Sequence, residues 1–98
     1  MQILFIGDIV GRPGRRAVRE LLPGLVRERG IELVVANGEN AAAGFGITRD
    51  TVDELLECGI HVLTTGNHVW DKREVLGFID DYPNLLRPAN YPEACPGI

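Results

Sequence analysis

Three short stretches place a glycine, followed by side chains that can bind a metal ion, directly after an apolar run. The candidate residues are Asp8 after Gly7, Glu39 and Asn40 after Gly38, and Asn67 and His68 after Gly66. Carboxylates, amide oxygens and neutral imidazole are ligands that suit Mn, Fe or Zn. A glycine before such a ligand lets the backbone turn tightly and approach an ion or a phosphate. Together the three stretches predict a metal site with mixed oxygen and nitrogen donors.

Each of these residues also has an ordinary structural interpretation when it is taken alone. Asp8 could form a turn or cap a helix, Asn67 could be a turn residue, and His68 could be a packed structural histidine. We interpret His61, within an apolar run, as a residue that packs or that lies on a partly exposed face. Four arginines indicate a solvated helix face, and the first of them is an alternative candidate for a phosphate contact: Arg12, Arg15, Arg16 and Arg19.

The apolar runs that precede the glycines are predicted to be strands of one parallel sheet. They cover residues 2–6, 33–36 and 60–65, and each is short, apolar and bounded by turn residues. Helical patterns separate them, which is typical of β-α-β units. Because the carboxyl ends of parallel strands meet at one edge of a sheet, we expect the five candidate residues to converge there.

Three helices and a further strand complete the predicted order of elements. The first helix runs to about residue 29, with Pro13 in its first turn, a possible kink at Pro23 and Gly30 as its stop. The second begins at Thr48 or Thr51, where Thr51 and Glu54 fit a capping box. The third covers about residues 71–79, and a fourth strand is expected at residues 85–86.

Composition and charge exclude several classes of protein. The 98 residues suit one small domain, and the apolar content of 45% is that of a globular protein. A net charge of −4 argues against stable nucleic-acid binding, although a bound metal could still attract a small anion. Two cysteines favour a reducing, cytoplasmic setting. The sequence contains neither a signal peptide nor a membrane span, and three prolines near residue 98 lead us to expect that the chain continues.

The three stretches together resemble the calcineurin-like metallophosphoesterases, and more closely the YmdB-like branch of that superfamily. The matching motifs are Gly7-Asp8-Ile9-Val10-Gly11, Asn37-Gly38-Glu39-Asn40-Ala41-Ala42-Ala43-Gly44-Phe45-Gly46 and Thr65-Gly66-Asn67-His68. The long second motif is the specific one. The resemblance implies an α/β fold with a parallel or mixed sheet and flanking helices, about half of a four-layer sandwich, with residues 1–98 as the N-terminal portion of a single domain.

The resemblance also implies a role for each candidate residue. Asp8 would bind a first metal, with Asn40 beside it, and Asn67 would bind a second metal. Glu39 would bridge the two ions, which would be Fe or Mn, with Zn as an alternative. His68 would be the catalytic residue that steadies the phosphate or protonates the leaving oxygen. The implied activity is hydrolysis of cyclic nucleotides or related phosphodiesters by hydroxide that the two metals activate.

The sequence departs from the wider superfamily at three positions. Val10 stands where a histidine is usual, Glu39 where the bridging residue is usually aspartate, and Val69 where an acidic residue often follows the Asn-His pair. The first two departures are typical of the YmdB-like branch. Family members also take histidine ligands from a later part of a longer chain, so we expect weak or absent activity for these 98 residues alone.

Two other functions are compatible with the pattern. A nucleotide-binding domain would explain the first strand, glycine loop and helix, but Gly7, Gly11 and Gly14 do not form G-x-G-x-x-G. A non-catalytic binding or assembly module, including a homo-oligomer, would explain a small sheet with open edges. Tight metal-independent dinucleotide binding would favour the first alternative, and a chain that ends without further histidine motifs would favour the second.

Overall fold

A computed structural model describes residues 1–43 and 45–98; Gly44, within the second motif, lies outside the described residues. Three strands form a parallel sheet in the order β1 (Ile3–Ile6), β2 (Leu33–Asn37) and β3 (Val62–Thr64). Ile3 pairs with Leu33, and Val35 pairs with Val62. The predicted strands and their parallel arrangement are therefore confirmed, although β3 is shorter than the apolar run that contains it.

The first crossover is the helix α1 (Gly11–Arg29). Pro13 lies in its first turn, where a missing N–H leaves no intrahelical bond unmade. The helix continues through Pro23, so the possible kink does not split it. It ends at Gly30, which has a φ of 61° and donates its backbone N–H to the carbonyl of Val26. The predicted glycine stop is confirmed, since this left-handed conformation favours glycine.

The second crossover contains the helix α2 (Arg49–Glu57). Of the two predicted starts, Thr48 is confirmed and Thr51 is not. Thr48 is the N-cap, and its side chain accepts a hydrogen bond from the backbone N–H of Thr51, whose own hydroxyl accepts one from the N–H of Thr48. The predicted box of Thr51 and Glu54 was therefore wrong. The reciprocal bonds form three residues earlier because threonine, like glutamate, can accept from the N-cap backbone.

One face of the sheet packs in the core and the other remains uncovered. Leu4, Val34 and Leu63 belong to the face that packs with apolar side chains of the two helices, among them Leu22 and Leu55. Side chains of the opposite face alternate with them along each strand. On that face the edge strand β1 exposes Ile3 and Phe5 at 58% and 61%. The helices thus lie on one side of the sheet only.

The segment after β3 differs from the predicted third α-helix. It forms two short 3₁₀ turns, Arg73–Gly77 and Ile79–Asp81, which are anchored by the buried side chains of Val75 and Ile79. Gly77 is the last residue of the first turn, and glycine disfavours the continuation of a helix beyond it. The predicted fourth strand is reduced to an isolated parallel bridge between Leu63 and Leu85.

The last residues fold back onto the chain that follows this bridge. The backbone N–H of Arg87 donates to the carbonyl of Ile98, and its guanidinium donates to the carbonyl of Tyr91. Gly97 donates its N–H to the carboxylate of Asp80. Of the helices within residues 1–43 and 45–98, none is both long and apolar enough to cross a bilayer.

Candidate metal centre

Three loops meet at the carboxyl edge of the sheet, as the parallel arrangement requires. The first loop covers residues 7–10, the second residues 38–43 and 45–48, and the third residues 65–72. The backbone N–H of Ile9 donates to the carbonyl of Asn37 at 3.2 Å, and that of Gly11 to the carbonyl of Asn40 at 3.0 Å. These bonds fix the first loop against the second before any side chain is considered.

Asp8 and Asn40 form the first pair of candidate residues. The side-chain amide of Asn40 donates to both carboxylate oxygens of Asp8, at 3.0 Å each. Asn40 is buried, and its amide oxygen Oδ1 has no hydrogen-bond partner within the described residues. A buried amide oxygen without a partner is costly, and an ion or a water molecule beside it would remove that cost.

Glu39 and His68 form the second pair and join the second loop to the third. The backbone N–H of His68 donates to Oε2 of Glu39 at 2.8 Å. Asn37, at the end of β2, donates its side-chain amide to Oε1 of Glu39 at 3.2 Å and accepts the N–H of Glu39 on its own Oδ1. Both carboxylate oxygens are therefore oriented by donors from the sheet edge.

Gly66 makes room for the Glu39 carboxylate. A Cβ added at Gly66 would lie 2.5 Å and 2.9 Å from the two carboxylate oxygens, closer than carbon and oxygen tolerate. Gly38 instead faces the apolar side chains of Ile47 and Leu63, and a Cβ at Gly7 would meet no atom within 4 Å. Close approach to a ligand thus explains one of the three glycines that the sequence pattern grouped together.

The His68 imidazole is held by two side chains that the sequence analysis did not select. Its Nδ1 lies 2.7 Å from Oδ2 of Asp71, and its ring lies 5.2 Å from that of Phe45, at an interplanar angle of 49°. Asp71 follows His68 by three residues, a spacing that a turn brings together. Asn67, the remaining candidate, has an exposed side chain on the same loop.

Arg15 is a further residue that the sequence analysis assigned wrongly. Its guanidinium donates to the carbonyls of Ala41 and Ala42 in the second loop and to the carboxylate of Glu54 in α2. Only 16% of its side chain is exposed, so it does not belong to a solvated helix face. Arg16 and Arg19, in contrast, are exposed as expected. The helical spacing could have indicated this, because position 15 precedes the buried residues Val18 and Leu22 by three and seven positions and so lies on the same face of α1.

The side chains at this edge offer donor atoms of a type that binds divalent cations. Asp8 and Glu39 supply carboxylates, and the orphaned amide oxygen of Asn40 supplies a neutral donor, the combination that hard and borderline cations accept. Within the part of the chain that the structure describes, no three or more His, Cys, Asp or Glu side chains group closely enough to hold a metal ion. These residues alone therefore offer few of the donors that two ions require.

Comparisons with known proteins identify the family of the chain. The model of the YmdB-like protein family matches residues 4–98. Over 97 residues the chain is 52% identical to the 2′,3′-cyclic-nucleotide 2′-phosphodiesterase of Bacillus subtilis, covering 99% of this chain and 37% of that protein. This share is smaller than the half that the sequence analysis expected.

Two solved structures share the fold. A hypothetical protein from Thermus thermophilus has a TM-score of 0.89 and 45% identity, with 99% of this chain and 37% of that one covered. A phosphatase from Mycoplasma pneumoniae has a TM-score of 0.87 and 31% identity, and the match covers 92% of this chain and 32% of the phosphatase chain. The chain spans about a third of the length of these relatives. Because the family model covers nearly all of its residues, the chain belongs to the YmdB-like protein family.

Proposed function

We propose that the chain supplies part of the active site of a metal-dependent phosphodiesterase that acts on cyclic nucleotides or related phosphodiesters. The observation that carries the proposal is the pairing of Asp8 with Asn40 and of Glu39 with His68 at one edge of the sheet. The 52% identity to a protein named as a cyclic-nucleotide phosphodiesterase supports the substrate class.

In this proposal Asp8 and Asn40 would hold one divalent cation, Asn67 would hold a second, and Glu39 would contribute its carboxylate to both. Fe or Mn suits these donors, and Zn is the alternative. When bound, such ions activate water as a nucleophile near neutral pH and offset the charge of the phosphate. Since the described residues offer so few donors, further ligands from outside these 98 residues complete the site, and the chain alone has weak activity or none.

His68 acts as the general acid in this scheme. Its ring contacts Asp71 through Nδ1, so the ring protonated on both nitrogens would donate its Nε2 proton to the leaving oxygen of the substrate and remain as the neutral Nδ1–H form. A positioned acid of this kind contributes about 10²–10⁴-fold to the rate. The bond from its backbone to Glu39 ties the acid to the metal-binding loop, so the two parts of the site hold a fixed spacing.

The test combines metal content with hydrolysis of bis-p-nitrophenyl phosphate and of 2′,3′-cyclic nucleotides. It is made on this chain and on any longer form that the gene encodes, after reconstitution with Mn²⁺ or Fe²⁺. We expect the longer form to bind metal and hydrolyse phosphodiesters, and Asp8→Ala and Glu39→Ala to lose both properties. Glu57→Ala, an exposed carboxylate at the end of α2, is the matched control. A reconstituted longer form with neither metal nor activity would refute the proposal.

A non-catalytic binding or assembly module is the second candidate function. The uncovered apolar face of the sheet favours it, because such a face usually packs against another layer or another chain. This candidate predicts self-association that is independent of metal and unchanged in Asp8→Ala. Under the enzyme proposal, the partner is a small phosphodiester, and the protein binds neither nucleic acid nor membrane. That proposal also locates the protein in the cytoplasm.

A further inference from the structure

Asp71 lies beside the proposed acid but has no part in the metal site. Its Oδ2 is 2.7 Å from Nδ1 of His68, and its backbone N–H donates to the carbonyl of His68 at 3.1 Å. The second bond closes a turn, which holds the carboxylate beside the ring. Because a carboxylate only accepts hydrogen bonds, Nδ1 of His68 must carry the proton that they share.

A second contact restricts the same ring from the neighbouring loop. The Phe45 ring packs at a tilt against the imidazole, with the centroids 5.2 Å apart. The backbone N–H of His68 is bound to Glu39, so the residue is fixed at its main chain, at Nδ1 and at one ring face. Rotation about the side-chain bonds, which would otherwise be open to a histidine on a loop, is thereby restricted.

We propose that Asp71 is the positioning residue of His68: it fixes the neutral imidazole as the Nδ1–H tautomer, so that Nε2 is the nitrogen presented to a ligand. The inference rests on the acid role proposed for His68, but its structural part can be tested without activity. Asp71 itself touches no reacting atom in this scheme and acts only through the ring that it orients. A hydrogen bond at one ring nitrogen of a histidine commonly decides which of the two nitrogens carries the proton.

His61, the other histidine of the chain, serves as an internal reference. Its Nδ1 accepts a hydrogen bond from the backbone N–H of Val34 at 2.9 Å. That nitrogen must carry a lone pair, so neutral His61 is the Nε2–H tautomer. The structure therefore assigns opposite tautomers to the only two histidines in the sequence, and one spectrum can distinguish them.

The experiment is a long-range ¹H–¹⁵N correlation spectrum of the imidazole rings, recorded on the ¹⁵N-labelled protein at a pH where both rings are neutral. We expect the unprotonated, downfield nitrogen to be Nε2 in His68 and Nδ1 in His61. In Asp71→Ala, His68 should shift toward the Nε2–H tautomer while His61 stays unchanged. Glu74→Ala removes a nearby exposed carboxylate and should leave both rings as in the wild type.

A kinetic measurement on the longest active form then separates positioning from binding. Asp71→Ala should lower kcat about 10–100-fold, the usual effect of removing a carboxylate that orients a functional histidine, and change KM little. An Nε2–H tautomer of His68 in the wild type, or no change in Asp71→Ala, would overturn the proposal. If the tautomers are as expected and every form lacks activity, the phosphodiesterase proposal fails while Asp71 retains its positioning role.

Discussion

The five candidate residues at the sheet edge form two pairs and one exposed side chain. Asp8 is bound by Asn40, Glu39 is bound by the backbone of His68, and Asn67 is exposed. Each pair joins two loops that are distant in sequence, so the site depends on where the three strands end. The sequence pattern predicted this convergence correctly. It did not predict that the amide of Asn40 would donate to Asp8 and leave its own oxygen without a partner among residues 1–43 and 45–98.

Gly66→Ala tests whether the Glu39 carboxylate needs the space beside Gly66. The new methyl group would overlap both oxygens, so we expect the carboxylate to move, lose its hydrogen bonds to Asn37 and His68, and lower the free energy of unfolding by about 1–3 kcal/mol. The amide resonance of His68, which donates to Glu39, should shift clearly.

Gly7→Ala is the matched control for that substitution. A Cβ at Gly7 meets no atom within 4 Å, so its effect on stability should stay below about 1 kcal/mol. Urea denaturation and a backbone ¹H–¹⁵N spectrum measure both variants. Equal effects of Gly66→Ala and Gly7→Ala would show that the space beside Glu39 has no special role.

Cys58 should react slowly with alkylating reagents. Burial, followed by the negative charge of Glu54, raises the pKa of its thiol, and the thiolate is the reactive form. The folded protein therefore holds this proton more tightly than the unfolded chain, and the stability gained is lost as pH rises through the raised pKa. In a Cys95→Ser background, iodoacetamide should modify the native protein several-fold more slowly at pH 8 than the urea-unfolded chain. A native rate equal to the unfolded rate would contradict this.

At the scale of secondary structure, α1 does more than cover the sheet. Arg15 extends from it to the carbonyls of the second loop, and the same guanidinium contacts Glu54 of α2. The loop that carries Glu39 and Asn40 is thus held by a helix that precedes it in the chain. Most element boundaries were predictable from apolar spacing and glycine stops, whereas this contact was not.

Arg15→Met tests that connection, because methionine keeps the apolar stem of the side chain and loses its donors. We expect the free energy of unfolding to fall by about 1–3 kcal/mol, since the two loop carbonyls lose a charged partner. Hydrogen exchange should accelerate at the amide of Gly11, which donates to Asn40 in the same loop. Arg16→Met, at an exposed i,i+4 pair with Glu20, should change stability by less than about 0.5 kcal/mol. If both variants behave alike, Arg15 does not hold the loop.

At the scale of the whole molecule, the helices cover one face of a three-stranded sheet. The other face carries Ile3 and Phe5 at an exposed edge strand, beside Leu33 and Val35 of β2. Burying apolar surface of this kind contributes about 25 cal/mol per Å². We expect such a face to lower the stability of the chain and to promote contact with a second copy.

Sedimentation equilibrium of the 98-residue chain tests this expectation. Self-association should increase with protein concentration, and Phe5→Lys should weaken it by placing a charge on the uncovered face. Leu76→Lys introduces the same charge at another exposed apolar residue, on the first 3₁₀ turn, and should have little effect. A chain that stays monomeric at several hundred micromolar, or equal effects of the two variants, would show that this face is not used.

The amino-acid sequence by itself determined the three parallel strands, the two helices between them and the edge at which the candidate residues meet. Alternating apolar runs, helical spacing and glycine stops are local signals that can be recognised in the sequence. Parallel strands bring their carboxyl ends to one edge of the sheet regardless of the conformation of the loops. The resemblance of the three motifs also placed the chain in its family.

Only the tertiary structure decided which side chains contact one another. The bonds of Asn40 to Asp8, of His68 to Glu39 and of Arg15 to the second loop join residues 32, 29 and 26 positions apart. Their partners depend on the direction of each side chain in an irregular loop, and no periodic pattern encodes that direction. The same reason explains why Asp71 and Arg15 became visible as supporting residues only once the loops had been placed.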